Sequence, residues 1–72
     1  MTATAAPTTR ILDLAPLRTG TLVEARRRDE VHYPGYVEDT APGLGVAWIR
    51  DDLAGHRAML HLDEYGIWQV AA

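Results

Sequence analysis

Residues 36–57 leave this chain few choices of fold. Tyr36-Val37-Glu38-Asp39 and Gly45-Val46-Ala47-Trp48-Ile49-Arg50 are two extended-type segments separated by Ala41-Pro42-Gly43, which carries turn chemistry. Ala54-Gly55 supplies a second break before Arg57. Val46 to Ile49, branched and aromatic with a breaker on either side, has the signature of a central strand in a small antiparallel sheet. Breakers recur so closely that helix has little room outside the N-terminal segment.

The remaining strands follow from period-two patterning. Gly20 opens the folded unit, and in residues 21–28 Val23 and Ala25 alternate with Glu24 and Arg26. Arg26-Arg27-Arg28-Asp29-Glu30 makes a charged turn. In residues 31–39, Gly35 and Val37 share one face, Tyr36 and Glu38 the other. Tyr33-Pro34-Gly35 is expected to break that strand early, because Pro34 has no N–H for a ladder and belongs at an edge or bulge. In the third strand Val46 and Trp48 are expected to face inward, with Ala47 and Ile49 opposite. In residues 57–62, Ala58, Leu60 and Leu62 alternate with Arg57, Met59 and His61. Asp63-Glu64-Tyr65-Gly66 reads as one helical turn, and residues 67–70 as a short last strand. The expected core is Val23, Ala25, Val37, Val46, Trp48, Leu60, Leu62 and Ile67.

Residues 1–9 are a Thr/Ala/Pro segment without periodicity, read as a mobile tail. Ile11, Leu12, Leu14 and Leu17 then put apolar side chains into an arm that either covers one end of the folded unit or binds a partner. The expected organisation is a disordered or arm-like segment over residues 1–19 and a small β-barrel domain over residues 20–72. It is all-β, five short strands joined by tight loops with a helical turn before the fifth.

Composition narrows the function. The 72 residues contain no Cys, so neither a disulfide nor a thiolate metal site holds the fold, and a compact barrel or a homo-oligomer is the route to stability. Residues 1–28 carry five Arg against two carboxylates (net +3), and residues 29–72 two Arg against eight (net −6). An acidic domain is a poor general nucleic-acid binder, because neutralising phosphate supplies most of that affinity; a polarised one still presents a basic face, or pairs with a copy of itself. No apolar run approaches the roughly 20 residues that span a bilayer, and the N-terminal stretch lacks a secretory h-region. The expected location is the cytoplasm.

Residues 20–65 resemble the Tudor group of Src-homology-3-like barrels. The matching frame is Gly20-x-x-Val23-x-Ala25, Tyr33-Pro34-x-x-Val37, Val46-x-Trp48 followed by Asp51, and a final Leu62-Asp63-x-Tyr65 turn. The resemblance implies a five-stranded Src-homology-3-like (Tudor-like) barrel with a flexible N-terminal arm. It also implies an aromatic cage for a methylated cationic side chain, built on cation–π attraction. Tyr33 and Trp48 match cage positions, whereas Arg27, Asp51 and Leu53 stand where the pattern has aromatic residues.

Enzyme chemistry finds no foothold. Ser, Cys and Lys are absent, no Thr has a neighbouring His in sequence, and His32, His56 and His61 lack metal-ligand spacing. The expectation is a non-enzymatic module without cofactor or metal. It recognises a protein or peptide, through a cationic side chain, at an aromatic and acidic rim of Tyr33, Tyr36, Trp48 and Asp51. The alternatives are a nucleic-acid-binding barrel using Arg26, Arg27 and Arg28 with Tyr33, Tyr36 or Trp68, and a structural subunit that assembles with itself.

Overall fold

In the computed structural model of the protein, which describes residues 8–52 and 54–71, the period-two segments become strands. They are β1 (Thr8–Ile11), β2 (Leu22–Arg27), β3 (Glu30–Ala41), β4 (Val46–Asp51), β5 (Arg57–His61) and β6 (Gly66–Val70), with a 3₁₀ turn at Pro42–Leu44 between β3 and β4. They form one antiparallel sheet in the order β1-β6-β2-β3-β4-β5. The domain is therefore all-β. The sheet has six strands where five were expected, and five of the six lie in residues 20–70. The sixth is β1, which comes from the segment read as an arm and pairs residue for residue with β6, Thr8 opposite Val70 and Ile11 opposite Ile67. Residues 1–7, most of the stretch read as a mobile tail, lie outside the described residues.

β3 organises the sheet because it is long and pairs on both sides. It does not break at Tyr33-Pro34-Gly35 but runs through all three. The Pro34 carbonyl points to the β4 side, where it accepts the Asp52 N–H at 2.7 Å, just past the last ladder pair, Gly35–Asp51. The proline nitrogen faces that same side, so no ladder donor is lost. Register shifts near His32 and Glu38 add one extra β3 residue at each point, which bends and twists a long strand.

The β2–β3 hairpin closes with two residues, Arg28 and Asp29, at φ +53° and +65°. Two positive φ angles in a two-residue loop match the twist of the flanking strands, and Asn-Gly is the sequence that adopts them without strain. Replacing Arg28-Asp29 by Asn-Gly should therefore stabilise the domain by about 1–2 kcal/mol, the cost of holding L-residues in the left-handed region. The check is the urea midpoint, which rises in the double variant with an unchanged slope; an unmoved midpoint means the turn carries no strain.

The core comprises Leu14, Val23, Ala25, Val37, Ala47, Ile49, Leu60 and Ile67, with Val46 also buried. The expected inward face of β4 is corrected. Ala47 and Ile49 are fully buried, while Trp48 is only half-buried on the outer face. The cause is pairing: Ile49 lies opposite Val37 and Ala58, and Ala47 opposite Leu60, all residues of the inner face, whereas Trp48 lies opposite Met59. Leu62 packs on the core from its edge instead of lying within it.

Leu14 was not in the expected core. The Asp13 carboxylate accepts the Ala15 N–H (3.0 Å) and the Leu14 carbonyl accepts the Leu17 N–H (3.0 Å), so a local turn drives Leu14 inward. Ile11 and Leu17 pack beside it, and Leu12 is exposed. The segment after β1 thus covers the core.

Candidate functional site

β3 places Tyr33 opposite the buried Ala25, so the ring lies on the inner face at the end of the sheet, half-buried against the core. The turn after β5 delivers Tyr65 to the same place, anchored by the Glu64 and Tyr65 N–H groups, which donate to the His61 carbonyl at 2.9 and 3.0 Å. The Tyr33 and Tyr65 rings meet edge to face, with centroids 5.7 Å apart at 69°. The His32 ring meets Tyr65 at 6.1 Å from its other neighbour position on β3, and the Arg27 guanidinium stands 5.9 Å from the Tyr65 centroid. The adjacent Tyr65 hydroxyl, by charge and by hydrogen bonding, holds the Tyr33 phenol above its usual range; partial burial and the Asp51 carboxylate add in the same direction. Asp51, at the end of β4 opposite Gly35, shares the sheet face of Tyr33, which stands two residues before Gly35.

Tyr36 and Trp48 do not join this cluster. Tyr36 lies on the outer face between Leu22 and Arg50 and is 46% exposed. Trp48 lies on that face too, beside Met59 and beneath the Arg57 guanidinium at 5.7 Å. Near both, Glu38 takes Arg50 on its two oxygens (2.7 and 3.3 Å) and Arg57 at 3.3 Å. The Arg50 hydrogen bond pulls the Glu38 carboxyl below its ordinary range; desolvation opposes it, and the Arg50 and Arg57 charges reinforce it. The rim of Tyr33, Tyr36, Trp48 and Asp51 is thus divided. Tyr33 and Asp51 converge, while the other two belong to a salt-bridged outer surface. Leu53 lies outside the described residues.

The three consecutive arginines also separate. Arg27 and Arg28 are exposed around the hairpin turn. Arg26 lies back along the outer face, where it bonds Glu24 at 2.6 Å and covers the Trp68 ring at 4.6 Å, with Arg10 of β1 on the same ring at 5.2 Å. Residue order alone does not announce this Arg–Trp–Arg stack or the place of Tyr65 against Tyr33. One signal was present in sequence: Gly66 two residues before Trp68 leaves the space that the indole fills, since a Cβ at Gly66 would meet the Trp68 ring. Four carboxylates, Glu24, Asp29, Asp63 and Glu64, share this surface with the four arginines, so it carries no net positive charge.

Among the described residues no three His, Asp or Glu side chains converge as metal ligands would, and no helix is long and apolar enough to cross a membrane. No protein family, curated protein or solved structure matches this chain.

Proposed function

We propose that this chain is a small non-enzymatic binding module, a Tudor-like member of the Src-homology-3-like barrels, that recognises a cationic side chain of a protein or peptide. The fold reading is supported by strand succession. β2 to β6 form a meander whose last strand returns beside its first, and bulges at His32 and Glu38 bend the central strand. The binding site in this reading is the end of the sheet that holds Tyr33, Tyr65 and Asp51.

The observation that carries the reading is Arg27 over Tyr65. The chain's own guanidinium stands in cation–π range of a ring that is itself edge-on to Tyr33, with the Asp51 carboxylate near Tyr33. The ring quadrupole attracts a cation and a carboxylate accepts its hydrogen bonds, so an arriving Arg or methylated Lys side chain replaces Arg27, which is exposed and free to swing aside. The nucleic-acid alternative has Arg10, Arg26 and Trp68 in its favour, but the equal number of carboxylates on that surface opposes phosphate.

Chemical-shift mapping tests this. Arg-containing and methyl-lysine-containing peptides should perturb Tyr33, Tyr65 and Asp51, and Tyr65→Ala should abolish the response while the sheet stays folded. A single-stranded oligonucleotide should leave these residues unmoved. Perturbation by the oligonucleotide at Arg10, Arg27 and Trp68, with none by the peptides, reverses the assignment.

A further inference from the structure

We propose that two copies of this chain pair along β5, edge to edge about a two-fold axis at Met59. β5 is the last strand of the sheet, and among the described residues nothing pairs with its second side. Its ladder fixes which groups are left over. Asp51 N–H donates to the His56 carbonyl at 2.7 Å, and Leu62 N–H to the Gly45 carbonyl at 2.9 Å. Hydrogen-bonded positions alternate along an antiparallel pair, so Ala58 and Leu60 turn their polar groups toward β4, and Arg57, Met59 and His61 turn theirs away. The His61 carbonyl is already used by the turn to Tyr65; the groups of Arg57 and Met59 and the His61 N–H remain for a new strand.

Two of the usual guards against such pairing are missing. β5 contains no Pro, and its register with β4 has no bulge. Its central residue is Met59, 65% exposed, and Trp48 lies directly beside it on β4. An apolar cross-strand pair thus ends at an open edge.

The occupant is a second copy because the strand complements itself. With the axis at Met59, the two Met59 residues exchange N–H···O bonds, and Arg57 lies opposite the second copy's His61. The His61 imidazole is 3.5 Å from the Asp63 carboxylate, whose side chain is 89% exposed. Each Arg57, which Glu38 of its own chain holds at 3.3 Å, therefore also faces an acidic corner of the other copy, twice by symmetry. The Trp48–Met59 pairs of the two copies join into one apolar row. A 72-residue chain with no disulfide gains from such assembly.

Sedimentation equilibrium of the full chain decides it. From about 1 µM to about 1 mM the mass should rise from 7.9 kDa toward twice that value and stop there. Met59→Glu sets like charges across the axis and should leave a folded monomer, judged by its β-sheet circular dichroism. Arg57→Asp and Asp63→Arg should each weaken the dimer roughly tenfold, and the double variant should restore it. A monomer at every concentration, growth past the dimer, or a dimer indifferent to Met59→Glu overturns the proposal. Should Met59→Glu not fold, the charge-swap cycle decides alone, and the absence of rescue there overturns it.

Discussion

Gly35→Ala should unfold a large part of the population at physiological temperature. Gly35 is paired with Val23 on one side and Asp51 on the other. A Cβ there would overlap the Arg50 carbonyl oxygen, lie 2.8 Å from the Arg50 carbonyl carbon and touch Ile49 Cγ2 at 3.0 Å. Two of those three atoms are backbone, so no rotamer change relieves them; the β3–β4 pair must separate. Overpacking costs about 1–3 kcal/mol even where side chains can yield, and more where they cannot. Against a total of roughly 5–15 kcal/mol, with so short a chain near the lower end, that loss is decisive. At about 4–8 °C per kcal/mol for a domain of this size, the melting temperature should fall by about 10 °C or more. Gly43→Ala is the control, because a Cβ there meets nothing within 4 Å. Equal melting of the two variants would show that the strands do not approach as described.

The same pair of strands shows what could and could not be read from residue order. β2 and β5 alternate cleanly, so their buried residues, Val23, Ala25 and Leu60, are legible as a period of two. Val46-Ala47-Trp48-Ile49 is apolar throughout and has no period to read. Its facing is set from outside, by pairing with Val37 and Leu60 and by the register shift at Glu38, which no residue type announces. β1 was hidden for a related reason. Thr8-Thr9-Arg10-Ile11 has no apolar stripe and becomes a strand only because β6 offers it an edge. In the candidate site, Tyr33 and Asp51 were legible because β3 and β4 are adjacent in sequence as well as in space. Tyr65 reads as part of a turn; its ring position depends on where that turn docks, which is a long-range fact. The Arg10–Trp68–Arg26 stack joins three strands from opposite ends of the chain, and beyond Gly66 two residues before Trp68 local patterning carries no trace of it.

Facing in β4 and β5 can be measured directly by truncation. Ile49 is fully buried and Leu60 is 2% exposed, so Ile49→Ala and Leu60→Ala should each cost about 2–5 kcal/mol, the transfer energy of the lost atoms plus the cavity they leave. Met59, on the outer face, should cost less than about 1 kcal/mol when truncated, since its side chain already meets water. Trp48 is the sharper comparison. Trp48→Ala removes more atoms than Ile49→Ala, yet Trp48 is half-buried on the outer face beneath Arg57 and outside the core cluster, so its loss should be the smaller of the two. Urea melts of the four variants at low protein concentration, where self-association does not contribute, give the ranking. A greater loss for Trp48→Ala than for Ile49→Ala returns Val46 and Trp48 to the inner face and shifts the strand by one residue. Combining Ile49→Ala with Gly35→Ala should not restore stability, because the methyl at position 35 collides first with the Arg50 carbonyl, which the truncation leaves in place.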